Sequence, residues 1–105
     1  MTTREISPSS IVKDLPSCRV VDVRTPEEFA AKRLPGSENI PLDRLDNTTC
    51  LALADSGEPL YLLCGTGMRA GKAHALLAEH TACTALVIEG GIAALQEHGV
   101  ELAED

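Results

Sequence analysis

The sequence predicts a single α/β domain in which a mainly parallel sheet is covered by helices on both faces. Short β-branched or apolar runs alternate with amphipathic stretches along the chain, the pattern of strands joined by crossover helices. Two of these runs, Arg19-Val20-Val21-Asp22-Val23 and Leu60-Tyr61-Leu62-Leu63, are continuous rather than alternating, as expected of strands buried on both faces. A length of 105 residues, 44% of them hydrophobic, is enough for one compact core and leaves no room for a second domain.

The elements follow in order from local chemistry. Ser7-Pro8 reads as the N-cap and first position of a helix that ends near Leu15-Pro16. After the strand at residues 19–23, Thr25-Pro26-Glu27-Glu28 opens a second helix, with a cap, a proline at the first position and a capping-box glutamate three residues after the threonine. That helix runs through Phe29-Ala30-Ala31-Lys32. Leu34-Pro35-Gly36 is a turn and Glu38-Asn39-Ile40 a short strand. A helix is expected between Leu42 and Ala54, weakened by Asn47-Thr48-Thr49 and broken by Gly57-Glu58-Pro59. The Leu60–Leu63 strand comes next, then a helix after Arg69 whose apolar face is Ala73, Leu76, Leu77 and His80. A strand at Ala85–Ile88, the Glu89-Gly90-Gly91 turn and a last helix through Ala93-Ala94-Leu95-Gln96 complete the chain.

Between the strand ending at Leu63 and the following helix lies Cys64-Gly65-Thr66-Gly67-Met68-Arg69. Gly65 and Gly67 permit positive φ, so that successive backbone N–H groups can converge on one point. The partial positive charge of a helix N-terminus adds to this, and such a site favours a thiolate over a thiol. The bland rival is that Cys64 is a small buried hydrophobe. That reading is the natural one for Cys18, Cys50 and Cys83, which with Cys64 form no C-x-x-C pair; neither zinc nor a dithiol centre is signalled.

Composition narrows the partners. Nine lysines and arginines against 16 aspartates and glutamates give a formal charge of −7, which argues against nucleic acid or an anionic membrane. An anionic substrate therefore requires a local cationic mouth, for which Arg69 and Lys72 are the candidates. The N-terminal residues lack a signal-peptide core, and no apolar stretch is long enough to span a bilayer, so a cytoplasmic location is expected, where disulfides are unlikely to form. With Phe29 and Tyr61 as the only aromatics, a base-stacking platform is hard to build.

Taken together, Val20-Val21-Asp22-Val23-Arg24, Pro26-Glu27-Glu28-Phe29, Pro35-Gly36-Ser37-Glu38-Asn39-Ile40-Pro41-Leu42, the Cys64 loop and Glu89-Gly90-Gly91 resemble, in order and spacing, the single-domain rhodanese family of thiosulfate sulfurtransferases. The resemblance covers residues 5–100 or so. It implies a three-layer fold with a five-stranded, mainly parallel sheet, and an active cysteine at a strand's C-terminal end. Two positions depart from the family pattern: Lys32-Arg33-Leu34 stands where Gly-His is common before Pro-Gly, and Leu95 where tryptophan is often found. Both are expected to alter packing or a partner surface rather than chemistry, and the Lys32-Arg33 step is a candidate for docking an acidic protein acceptor.

The implied chemistry uses one nucleophile twice and no cofactor or metal. Cys64 attacks the sulfane sulfur of thiosulfate or a similar anionic donor, sulfite leaves, and a thiol or cyanide removes the sulfur from the resulting persulfide. The amides from Gly65 to Arg69 hold the charge, Thr66 offers a hydroxyl, Arg69 binds the sulfonate and Met68 lines or plugs the pocket. Asp22 and Arg24 are read as structural, Asp22 accepting backbone donors and Arg24 pairing with Glu27 or Glu28. His74, His80 and His98 are read as solvated or edge residues. Three alternatives stand beside this reading. Gly65-x-Gly67-x-x-Ala70 also matches a dinucleotide fingerprint, but late in a short chain. A phosphatase or arsenate reductase would have five residues between cysteine and arginine, where this loop has four. A non-catalytic partner-binding module often lacks the cysteine that is present here.

Overall fold

The computed structural model describes residues 5–54, 59–80 and 84–104. Its elements are β1 (Glu5–Ile6), α1 (Pro8–Ile11), a 3₁₀ stretch (Val12–Ser17), β2 (Arg19–Asp22), α2 (Pro26–Ala31), β3 (Glu38–Asn39), a 3₁₀ turn (Leu42–Arg44), α3 (Asn47–Ala54), β4 (Leu60–Leu63), α4 (Met68–His80), β5 (Ala85–Ile88) and α5 (Gly91–Glu97). Five strands form one sheet in the order β1-β5-β4-β2-β3, and every pairing is parallel. The expected α/β class with a five-stranded parallel sheet and helices on both faces is therefore the observed fold.

Side-chain alternation along the strands divides the core in two. Val21, Leu60, Leu62, Ala85 and Val87 point to one face, where Cys50 and Leu53 of α3 and Ala70, Ala73 and Leu77 of α4 cover them. On the opposite face Val20, Leu63 and Ile88 meet Ile11 of α1 and Ile92 and Leu95 of α5. Helix α2 buries no residue. It is held instead by polar links: the Thr25–Glu28 capping box and an ion pair from Glu28 to α4.

Several boundaries differ from the sequence expectation, each for a local reason. Strand β1 was not anticipated, because a two-residue strand exists only through its pairing of Glu5 with Val87 and Ile6 with Ile88. The first helix is α-helical for one turn and then tightens to 3₁₀, since Pro16 lacks the amide hydrogen that an α-helix needs. Asn47-Thr48-Thr49 begins α3 rather than weakening it: Asp46 Oδ1 accepts a hydrogen bond from the Thr49 amide at 2.8 Å, an N-cap that also lowers the carboxyl's pKa. The buried stripe of α4 is Ala70, Ala73, His74 and Leu77, one frame away from the expected one, with Leu76 only half-buried. His74 is thus buried rather than solvated or at an edge, while His98 is exposed at the end of α5. The side chain of His80, and Cys83, Gly57 and Glu58, lie outside what is described.

Candidate functional site

Cys64 follows the central strand β4, at the C-terminal edge where sheets of this class bind ligands. Its thiol is 1% exposed and belongs to the core beneath α4. Two backbone amides nonetheless converge on the sulfur: Gly67 N–H donates to Sγ at 2.9 Å and Ala70 N–H at 3.4 Å. The turn that aims them depends on Gly67, whose φ of +104° is unfavourable for other residues. Gly65 does not share the positive φ expected of it. A Cβ there would make an ordinary contact, 3.4 Å from Nη2 of Arg69.

The loop is braced from the other face by the start of α5. Ile92 N–H donates to the Cys64 carbonyl at 2.8 Å and Ala93 N–H to the Gly65 carbonyl at 3.3 Å. The loop's carbonyls therefore turn toward one helix start while its amides turn toward sulfur. This arrangement requires Gly91: a Cβ there would fall 2.1 Å from the Cys64 oxygen. The sequence marked Glu89-Gly90-Gly91 as a turn, but its role as the surface on which the cysteine loop rests was not read. The amide of Ala70 was likewise missed, because the expected cradle ended at Arg69.

The remaining loop residues separate. Thr66 and Met68 are exposed, and Met68, at 76%, is the one large apolar side chain exposed among the described residues. It projects into solvent at the start of α4. Arg69 is half-buried and engaged: its Nη1 donates to Glu28 Oε1 at 2.5 Å and its Nη2 to Glu28 Oε2 at 3.0 Å. The Arg69 hydrogen bonds hold the Glu28 carboxyl at about 2, well below its ordinary 4.5, despite an opposing contribution from partial burial. The same contact raises the pKa of Arg69, helped by the nearby Cys64 and Asp22. Lys72 is exposed one turn further on. Among the described residues there is no group of three or more histidines, cysteines or acids that could hold a metal, and no helix is long and apolar enough to cross a membrane.

Asp22 and Arg24 form the second charged pair near the strand ends. Arg24 does not pair with Glu27 or Glu28 as the sequence suggested. Its Nε and Nη2 donate to the Asp22 carboxylate at 2.8–3.1 Å, and its backbone N–H to Oδ1 at 3.0 Å. Nη2 also reaches the Lys32 carbonyl. Asp22 is 0% and Arg24 6% exposed, so this pair is structural, as expected, with a different partner assignment.

The profile of the rhodanese-like domain family matches residues 7–98. The chain is a rhodanese-like domain. It is 30% identical to the thiosulfate sulfurtransferase PspE of Escherichia coli over 59 residues, 56% of this chain and 57% of that protein. The chain spans little more than half the length of the curated relatives it matches. Among solved structures it resembles a rhodanese-like domain protein from Staphylococcus aureus, with a TM-score of 0.80 and 28% identity over 94% of this chain and 97% of that one. A rhodanese-related protein from Thermoplasma volcanium shares the fold, with a TM-score of 0.84 at 24% identity over 97% and 99%.

The places where this rhodanese-like domain departs from the family's usual sequence are absorbed by packing. Leu95 is fully buried between α5 and the sheet. Arg33 exchanges backbone hydrogen bonds with Ala103, at 2.9 and 2.8 Å, and its guanidinium lies over the Phe29 ring. Lys32 and Arg33 are both half-buried, so they do not form a freely projecting basic step.

Proposed function

We propose that this rhodanese-like domain is a sulfurtransferase that carries a sulfane sulfur on Cys64. The observation behind the reading is the pair of amides on Sγ. A cysteine serving only as a small hydrophobe has no need of two N–H donors, whereas a sulfur that holds negative charge as thiolate and then as persulfide does.

In the first half-reaction the Cys64 thiolate attacks the outer sulfur of thiosulfate. A bond forms between Sγ and that sulfur, the old sulfur–sulfur bond breaks, and its electron pair departs with sulfite. The amides of Gly67 and Ala70 stabilise the sulfur throughout. Arg69 offers its remaining N–H groups to the sulfonate, with Lys72 adding field, while Gly65, Thr66 and Met68 shape the mouth. In the second half-reaction cyanide or a thiol takes the outer sulfur and the electron pair returns to Sγ. No proton needs to be moved by a separate base.

The test is thiocyanate formation from thiosulfate and cyanide by the purified protein and by Cys64→Ser. The expected result is turnover by the wild type and a loss of about a thousandfold or more in the variant. Equal rates in the two proteins would contradict a role for Cys64.

A further inference from the structure

The arginine of the cysteine loop carries an anion of the protein's own. Arg69 Nη1 and Nη2 both donate to the Glu28 carboxylate. That carboxylate is fixed from its other side, since Oε1 also accepts from the Thr25 amide and the Thr25 hydroxyl, each at 3.1 Å. The guanidinium in turn lies against the loop, its Nη2 standing 3.4 Å from where a Cβ on Gly65 would be. Its pKa is raised first by the hydrogen bonds to Glu28 and, against partial burial, also by Cys64. A guanidinium has five N–H groups, and Arg69 gives two of them to Glu28.

The pair contributes no net charge, so the loop amides and exposed Lys72 are left to attract an anion. With its carboxyl held at about 2, Glu28 stays ionised wherever a cysteine thiolate exists, and the cancellation is permanent. A dianion feels the lost field twice as strongly as a monoanion, because Coulomb energy scales with charge. We propose that Glu28 sets the donor selectivity of this domain: it keeps Arg69 against the cysteine loop while cancelling its charge, so that a dianionic sulfur donor gains little advantage over a singly charged one. This rests on the sulfurtransferase reading above and assigns a specificity residue to the same site. Glu28 touches neither sulfur nor donor; it is a positioning residue that acts through Arg69. Glutamine at this position keeps an oxygen for Arg69 and for the Thr25 cap but drops the charge, which separates holding the arginine from cancelling it.

Two donors with the same reacting sulfur and different charge test this: thiosulfate, a dianion, and methanethiosulfonate, a monoanion. With either, the Cys64 thiolate attacks the outer sulfur, the bond to Sγ forms, the old sulfur–sulfur bond breaks, and its electron pair departs with sulfite or methanesulfinate. Cyanide then takes the outer sulfur as thiocyanate and the pair returns to Sγ. In Glu28→Gln the ratio of kcat/KM for thiosulfate to that for methanethiosulfonate should rise about threefold to tenfold, mainly through KM for thiosulfate, and the rise should fade at high salt. Glu27→Gln removes the same charge one residue away, from an exposed acid with no ion pair among the described residues. Its ratio should stay within about twofold of the wild type. A merely structural Glu28 would lower both rates together and leave the ratio alone. That result, or an equal rise in Glu27→Gln, would overturn the inference. Sulfate, a dianion with no sulfur to transfer, gives a readout that needs no turnover. Titrated into isotope-labelled protein, it should shift the Gly65 and Gly67 amides with a Kd about threefold to tenfold lower in Glu28→Gln than in the wild type. Equal Kd values, or no shift at the loop of the variant, would overturn the inference. Failure of the wild type to turn over either donor would remove the sulfurtransferase reading, and the sulfate titration would still decide whether Glu28 cancels the charge of Arg69.

Discussion

Two arginine–carboxylate pairs lie near the same edge of the sheet, with similar fork geometry and opposite settings. Asp22 and Arg24 are sealed from solvent, and Arg24 has a further contact to the Lys32 carbonyl. Glu28 and Arg69 keep 40% and 36% of their side-chain surface exposed. The same chemistry therefore does two things. Within the buried pair neither charge can be released without leaving the other stranded in a poorly solvated place. The outer pair sits in water's reach, where solvent screening weakens its bond. One pair fixes the end of β2; the other holds an arginine beside the cysteine loop.

The largest expected effect comes from breaking the inner pair. Asp22→Asn leaves the Arg24 guanidinium buried without its counter-charge and should cost about 3–5 kcal/mol of stability, read by urea denaturation. A loss below about 1 kcal/mol would mean that the two pairs do not differ in the way their burial indicates. Next in size is Arg69→Ala. Its stability change should stay within about 1 kcal/mol, while kcat/KM for thiosulfate falls about tenfold or more through loss of a charge-assisted contact. If stability fell and kcat/KM did not, Arg69 would be a structural residue like Arg24.

Glu28→Gln gives the smallest effect and sharpens the contrast through pH. Glutamine retains the capping-box geometry but loses the negative charge that faces Arg69. Because the folded carboxyl titrates at about 2, below its ordinary 4.5, its stabilising contribution is complete above pH 4.5 and disappears as pH falls toward 2. Solvent screening at this half-exposed site limits it to about 1 kcal/mol or less. The wild type should therefore be slightly more stable than the variant at neutral pH, and the difference should vanish through that acid window. A difference independent of pH would show that the lost contact is not electrostatic.

What could be read from the sequence was local chemistry. Thr25-Pro26-Glu27-Glu28 specified both a cap and a helix start, and that capping box is present. The Cys64 loop was legible as a turn because its glycines sit between an apolar strand and a helix. What escaped was decided by contacts distant in sequence. Glu28 and Arg69 are 41 residues apart, and nothing nearby signals that a capping glutamate also holds the loop's arginine. Gly91 read as a turn residue because its close approach to the Cys64 carbonyl exists only after α5 packs. The α4 frame was ambiguous because Ala70, Ala73, Ala75 and Ala78 offer several equivalent small faces. The amide of Ala70 reaching Sγ goes with one of them, and that frame carries His74 inward.

The most direct test of the central claim is the intact mass of the protein after incubation with thiosulfate, before and after cyanide, alongside Cys64→Ser. A gain of one sulfur atom that cyanide removes, absent from the variant, is the predicted result. An equal gain in the Cys64→Ser protein, or none in the wild type with either thiosulfate or polysulfide, would contradict a persulfide held at Cys64.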